Sequence, residues 1–136
     1  MPTRPKVFRH SGALETDGTI LAEGTAAVDL PEGWTAEHLL LAALARCTAK
    51  SLRYHARDLD VTAAATTSST MTRREEDGLY GLVDVEIEVE VALEPEPPPE
   101  QLRELLDRAA RSCFIGNSLT VRPTYRWRVN GREVKT

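Results

Sequence analysis

The strongest structural signal in the chain lies in residues 35–47, TAEHLLLAALARC. Thr35 stands at the position of a helix N-cap, and Glu37 places an acid in the first turn, where it complements the helix dipole. Residues 39–45 are all leucine or alanine. The segment therefore predicts a long helix over about residues 36–57, with Cys47 near its middle.

This helix is apolar on every side over two turns, and such a helix has to be enclosed on every side. A single sheet covers only one of its faces. The rest of the chain supplies one further helix, which leaves part of the surface uncovered. We therefore expect a second copy of the protein to cover the remainder, giving a homodimer.

Three short strands are expected before the helix. Val7-Phe8 and residues 19–21 lie on either side of the turn signal Thr16-Asp17-Gly18, a pattern typical of a β-hairpin. A third strand is predicted around residues 25–30. Residues 31–34, PEGW, then end the extended chain.

Three more strands and a second helix are expected after residue 57. Residues 61–73 are rich in Thr, Ser, Ala and Val, which favours a strand, and residues 79–93 alternate apolar with acidic side chains at a period of two. The proline-rich segment 94–99 ends that strand. A helix follows with Cys113 on its buried stripe, and a last strand is predicted over residues 120–130.

The predicted order is β-β-β-α-β-β-α-β, which is an α+β fold in a single domain over residues 1–136. Two of the predicted strands carry opposite charges on their outer faces, and such rows stabilise each other across neighbouring strands. The acids are Asp84, Glu86, Glu88 and Glu90, and the arginines are Arg122, Arg126 and Arg128. We therefore predict that these two strands are neighbours.

Composition limits the classes of function. A net charge of −4 disfavours a nucleic-acid binder that depends on phosphate neutralisation. No apolar run approaches the roughly 20 residues that cross a bilayer, and the N-terminal residues lack the apolar region of a signal peptide, so we expect a cytoplasmic protein without membrane contact. The two cysteines lie 66 residues apart without a Cys-x-x-Cys pattern, which does not match a zinc site. No metal or cofactor is expected.

The two cysteines have two readings. Free cysteine is among the most buried residue types, so both can be small apolar packing residues. In a reducing compartment both are expected as thiols, and a pair of thiols is also suited to redox chemistry. Small neighbours around Cys47 leave room for a substrate or a second sulfur, and Gly116 after Cys113 is predicted to stop the second helix.

Two segments of the chain resemble the OsmC/Ohr family. In the signature helix of that family, an acid in the first turn precedes a cysteine by ten positions, and Glu37 and Cys47 have this spacing. Residues 113–119, CFIGNSL, resemble the family's second-cysteine segment. The resemblance extends from Val7 to Val129.

The resemblance implies an OsmC-like fold, in which an antiparallel sheet wraps the long central helices of an intertwined homodimer. It also implies a thiol-dependent peroxidase that reduces organic hydroperoxides to alcohols. Cys47 would attack the peroxide and become a sulfenic acid, and Cys113 would resolve it to a Cys47–Cys113 disulfide. A dithiol such as a lipoylated protein is implied as reductant. Arg9, oriented by Glu37, is implied as the cation that holds Cys47 as thiolate.

The chain departs from the family's peroxidase branches at two positions. Ala36 stands where those branches usually carry proline, and Thr48 stands where they carry an aromatic residue. These departures bring the chain closer to the less characterised OsmC-like branch. An alternative function therefore stays open, namely a non-catalytic protein that binds a small ligand in its dimer cleft or senses redox state. Glu37 also has an alternative role as a simple first-turn acid.

Overall fold

The computed structural model describes residues 4–136, so residues 1–3 of the predicted domain lie outside the described residues. Contacts within the chain divide it into two compact units, of which the first runs to Ala36 and the second from Glu37 to Thr136. In chain order the elements are β1 (Gly12–Leu14), β2 (Ile20–Ala22), α1 (Ala36–His55), β3 (Asp60–Arg73), β4 (Tyr80–Glu94), α2 (Pro99–Arg111), α3 (Phe114–Ser118), β5 (Thr124–Val129) and β6 (Arg132–Val134).

The first unit contains the predicted hairpin, with β1 paired antiparallel to β2. The prediction of a strand at Val7-Phe8 is wrong, because the tight turn before β2 brings Leu14 opposite Ile20 and the residues next to the turn form the strand. The prediction of a third strand around residues 25–30 is also wrong. Val28 forms only an isolated bridge with Ile20.

The second unit contains a four-stranded sheet in the order β3-β4-β5-β6. The predicted antiparallel sheet is wrong at one pair, because β4 and β5 run parallel. Residues 95–123, with α2 and α3, carry the chain back to the starting end of β4, and such a crossover makes the next strand parallel. The predicted element order is corrected by the missing third strand, the extra helix α3 and the extra strand β6.

Strand β4 contains an irregularity that the alternation did not reveal. The pairing with β3 passes from Thr70 opposite Asp84 to Met71 opposite Leu82, so Val83 is an extra residue on β4. A single extra residue reverses the faces of everything beyond it. Val83 and Leu79, which the pattern placed on the apolar face, are consequently 41% and 60% exposed.

The two charged rows lie on neighbouring strands, as predicted. Arg126 on β5 contacts Glu86 on β4 at 2.9 Å, and Arg128 contacts Glu90 at 3.4 Å. All four side chains are exposed or partly exposed, so each pair contributes only tenths of a kcal/mol up to about 1 kcal/mol.

The core lies where α1 and α2 pack against the apolar side of the sheet. Helix α1 ends two residues earlier than predicted, and none of the helices among residues 4–136 is both long and apolar enough to cross a membrane. The buried residues of the core come from α1, β4, α2 and β5 together. The largest apolar ones are Leu44, Leu52, Val85, Ile87, Val89, Leu93, Leu106, Trp127 and Val129.

Candidate functional site around the two cysteines

Helix α1 positions Cys47 and Thr48 at the edge of the core. Leu44, Thr48 and Leu52 recur at a spacing of four and are fully buried, so they form the stripe on which the helix packs. Cys47 is one position away from this stripe and is only half-buried. Its sulfur therefore faces the side of the helix between the core and the exterior.

The junction between α2 and α3 positions Cys113. The prediction that Cys113 lies on the second helix is wrong, because α2 ends at Arg111 and Cys113 takes an extended conformation directly before α3. Two side chains hold this turn: Ser51 donates to the carbonyl of Ala109 at 2.7 Å, and Asn117 donates to that of Arg111 at 2.9 Å. The sulfur of Cys113 is nevertheless fully buried, as predicted.

The structure brings the two sulfurs close enough for each to affect the pKa of the other, and neither is part of a disulfide. Backbone amides of the short turn after Cys113 point toward both sulfurs. The amides of Phe114 and Ile115 donate toward Cys47, and that of Gly116 donates toward Cys113. The same turn of backbone therefore supplies partial positive charge to both thiols.

Thr48 lies beside the buried sulfur. Its hydroxyl oxygen is 3.4 Å from the sulfur of Cys113 and 2.8 Å from the carbonyl oxygen of Leu44. A hydroxyl has one proton, and the short bond to Leu44 uses it. In the thiol state Cys113 is therefore the donor to Thr48, and after ionisation the hydroxyl can turn to donate to the thiolate.

Tyr125 on β5 brings a second hydroxyl close to the same sulfur and acts on its pKa. This approach requires a glycine at position 116. A Cβ built on Gly116 would lie 2.2 Å from the phenol oxygen of Tyr125 and 3.5 Å from the sulfur of Cys113. Gly116 was predicted as a helix stop, but it lies inside α3 and is buried there. Its function is to leave space for the phenol.

The two thiols ionise differently in these surroundings. Burial raises the pKa of Cys47, and the charge of the neighbouring Cys113 raises it further. The amides of Ile115 and Phe114 lower the pKa, but by less, so the net shift is upward. Burial also acts to raise the pKa of Cys113. The hydrogen bonds from Thr48, Tyr125 and the Gly116 amide outweigh that effect, and the pKa of Cys113 falls below the thiol value of 9.0.

The other predicted site residues lie elsewhere in the chain. Glu37 is in the first turn of α1, and the helical rise of 1.5 Å per residue puts it about 15 Å from Cys47, too far for direct contact. Arg9 is exposed and precedes β1 in the first unit. Arg46, the chain neighbour of Cys47, was not a predicted site residue; it is exposed and is not among the main causes of the pKa shift of Cys47. The roles of Arg9 and Glu37 stay predictions.

Three residues around Cys113 were not recognised as site residues from the sequence. In the sequence Thr48 stands out only as a departure from a family pattern, and Tyr125 is simply one residue of the predicted last strand. A signal for Tyr125 was present, since a phenol in a buried row needs a polar partner. Gly116 gave no such signal, because its space requirement depends on a side chain nine positions away.

The described residues do not contain a group of three or more His, Cys, Asp or Glu side chains that is placed to hold a metal ion. Histidine is the most frequent metal ligand among these types.

His55 contacts the hydroxyl of Ser112 at 3.2 Å, and burial, followed by the charges of Arg108 and Arg57, lowers its pKa. A neutral His55 therefore ties α1 to the end of α2.

A helix-covered sheet with two unlinked cysteines in contact defines a class of two-cysteine α+β proteins. The OsmC-like protein family matches residues 29–128 of the chain. The match covers more than half of the sequence and includes both cysteines, so the chain belongs to the OsmC-like family. A comparison with curated proteins gave no match.

Solved structures share the fold over nearly their whole length. An OsmC-like protein of unknown function from Vibrio cholerae is 15% identical with a TM-score of 0.74, covering 90% of this chain and 100% of its own. An OsmC-like protein from Mycoplasma pneumoniae is 17% identical with a TM-score of 0.69, covering 93% and 99%. An organic hydroperoxide resistance protein from Elizabethkingia anophelis, with thiocyanate bound, is 17% identical with a TM-score of 0.64, covering 93% and 98%.

Proposed function

We propose that the protein is a thiol-dependent peroxidase that reduces organic hydroperoxides to alcohols. One observation carries the proposal: two free sulfurs from distant parts of the chain are in contact, one half-buried and the other fully buried. A sulfur that meets substrate has to be reachable, whereas a sulfur that resolves an intermediate needs only to reach the first. The similarity to proteins named for organic hydroperoxide resistance supports this assignment.

Cys47 is the attacking residue in this proposal because it is the more accessible of the two. Its thiolate attacks the distal oxygen of the hydroperoxide, and the O–O bond breaks. The alkoxide takes up a proton and leaves as the alcohol. The sulfur of Cys47 gains one oxygen and becomes a sulfenic acid.

Cys113 resolves the sulfenic acid. Its thiolate attacks the sulfur of Cys47, an S–S bond forms, the S–O bond breaks, and hydroxide leaves to become water. A dithiol reductant then returns the pair to two thiols by two successive exchanges and is itself oxidised to a disulfide. A lipoylated protein is the proposed reductant.

Attack by Cys47 needs a positive group, because its surroundings raise the pKa of the thiol. The main causes of this raised pKa do not include an arginine or lysine of residues 37–136. The proposed source is Arg9, oriented by Glu37. Such a cation would lower the pKa of Cys47 and stabilise the charge on the departing oxygen.

A homodimer is part of the proposal. In the single chain Leu39 is 38% exposed and Ala42 is exposed, although both lie in the apolar part of α1. A second copy would cover these faces and would complete two sites at the interface. Light scattering coupled to size exclusion should give twice the mass of one chain, and a monomer at all concentrations would contradict this part of the proposal.

The function is tested by treating the reduced protein with one equivalent of tert-butyl hydroperoxide and measuring its intact mass and its peptides. The wild type should form an intramolecular Cys47–Cys113 disulfide. Cys113→Ser should instead keep a sulfenic acid on Cys47, which dimedone traps. Cys47→Ser should not consume the peroxide.

Two comparisons make the test specific. A parallel reaction with hydrogen peroxide should be slower, since the substrate is proposed to be an organic hydroperoxide. A dithiol should sustain repeated turnover in the wild type only. A wild-type protein that consumes none of several hydroperoxides would contradict the peroxidase, and would leave the non-catalytic ligand-binding or redox-sensing function in its place.

A further inference from the structure

The buried sulfur of Cys113 has more polar partners than a packing residue needs. The hydroxyl of Thr48 from α1 lies 3.4 Å from it, and a Cβ on Gly116 in α3 would lie 3.5 Å from this sulfur and 2.2 Å from the phenol oxygen of Tyr125 on β5. The amide of Gly116 and the sulfur of Cys47 also act on its pKa. Free cysteine needs no hydrogen-bond partner when it is buried, because it behaves as a small apolar residue. Three elements of the fold therefore converge on this sulfur with groups that can donate to it.

Tyr125 is the donor in this arrangement. Burial, followed by hydrogen bonding to Cys113, raises the pKa of its phenol, so the hydroxyl keeps its proton at neutral pH. The proton of Thr48 is already used on the carbonyl of Leu44. The phenol also lies beside Thr48, but Thr48 would have to give up its bond to the backbone before it could donate to the sulfur.

The charged and titratable groups around Cys113 are few. Cys47 from α1 and Tyr125 from β5 act on it directly. Arg122, which precedes β5, acts on the phenol of Tyr125 and favours negative charge there. Arg122 is not in an ion pair with any of residues 4–136, so its charge is available to the cluster.

We propose that Tyr125 is a further catalytic residue, which donates a hydrogen bond to the buried sulfur of Cys113 and stabilises its thiolate form when that sulfur attacks and when it leaves. The catalytic part of this role rests on the proposed peroxidase function, because that function defines the reaction. The ionisation of Cys113 follows from the cluster itself and can be measured without any peroxide.

The thiolate state matters twice. When the disulfide forms, Cys113 is the nucleophile. When a dithiol reduces it, the reductant thiolate attacks the accessible sulfur of Cys47, the S–S bond breaks, and Cys113 leaves with the electron pair. A thiol of lower pKa leaves faster, so the donor that stabilises Cys113 speeds the exchange and directs it to Cys47. The second thiol of the reductant then displaces Cys47.

The first experiment measures the ionisation of Cys113 alone. In Cys47→Ser protein labelled with ¹³C at cysteine, the Cβ chemical shift of the one remaining cysteine is followed against pH. Adding Tyr125→Phe should move the midpoint upward by about one pH unit, since it removes a hydrogen bond to a charged group. Tyr80→Phe is the matched control, because it also removes a phenol hydroxyl but lies 68% exposed and does not act on either cysteine.

The second experiment locates the attack. Oxidised wild-type protein is treated with excess 2-mercaptoethanol, quenched with acid and mapped by mass spectrometry. The mixed disulfide should be found on Cys47, and Tyr125→Phe should form it about threefold more slowly at every pH, since a leaving thiol whose pKa is about one unit higher leaves more slowly however far the attacking thiol is ionised.

The outcomes separate this inference from the proposed function. A midpoint shift in a protein that ignores hydroperoxides would support the inference and contradict the peroxidase. The inference is overturned if Tyr125→Phe and Tyr80→Phe give the same midpoint, or if the mixed disulfide forms on Cys113. An exchange in Tyr125→Phe that is as fast as in the wild type would also overturn it, since the leaving sulfur would then gain nothing from the phenol.

Discussion

Gly116→Ala offers the sharpest test of the cluster, because the added carbon has a defined obstacle. The new Cβ would lie 2.2 Å from the phenol oxygen of Tyr125, whereas real Cβ atoms essentially never approach a neighbour closer than 3.0 Å. Either the phenol or α3 has to move. Overpacking of this kind costs about 1–3 kcal/mol. We expect that loss in the free energy of unfolding.

Removing the phenol oxygen removes the obstacle. In a Tyr125→Phe background the nearest remaining atoms are the ring carbon Cζ and the sulfur of Cys113, both at 3.5 Å, which is ordinary van der Waals contact. Alanine in a helix is more stable than glycine by about 0.5–1 kcal/mol. Gly116→Ala should therefore be neutral or stabilising there. The coupling between the two substitutions should be at least about 1 kcal/mol, as for residues in contact.

The assay is urea unfolding of the four proteins of this cycle under reducing conditions, followed by circular dichroism. Gly33→Ala is the control, since a Cβ there meets nothing within 4 Å. Equal costs of Gly116→Ala in the two backgrounds would refute the steric account of position 116, and with it the geometry that places the phenol against the sulfur.

Three further outcomes are expected from the same unfolding measurement. Leu106→Ala, at a side chain that is 0% exposed in the core, should cost about 2–5 kcal/mol. Arg126→Ala should cost less than about 1 kcal/mol, because its ion pair with Glu86 is exposed, and a larger loss would contradict that assignment. In Cys47→Ser protein the pKa of Cys113 should be lower in the folded state than in the unfolded state. The free energy of unfolding should therefore rise as the pH increases toward the thiol value of 9.0, relative to the protein that lacks both cysteines. An equal pH dependence in the two proteins would count against the lowered pKa.

Local patterns predicted the elements whose signal lies within one segment. The run of leucine and alanine and the first-turn acid gave α1, and the alternation in residues 85–93 gave the buried face of β4. The rows of opposite charge also predicted a long-range contact correctly, because an acidic row and an arginine row can be matched from the two segments of sequence alone. These signals depend on the side-chain periods of about 3.6 residues in a helix and two in a strand, which are properties of the element itself.

Other features depended on distant parts of the chain and had no local signal. The bulge at Val83 is set by the pairing with β3, and the parallel direction of β5 is set by the length of the crossover. The cysteines of the candidate site could be predicted, because cysteine is rare and chemically distinct. Tyr125 and Gly116 could not, because their role is a distance between two elements that only the folded core establishes.

The pKa of Cys47 is raised and that of Cys113 is lowered, and this difference bears on how Cys47 could attack a peroxide. Because the sulfurs are in contact, they ionise as a pair, and two adjacent thiolates repel each other. The donors around Cys113 decide which sulfur loses its proton first, and Cys47 then donates its own proton toward that charge. A peroxide that reaches the accessible sulfur would therefore meet a thiol. A positive charge brought to Cys47, the role proposed for Arg9, would offset a negative charge on Cys113 and favour the second ionisation.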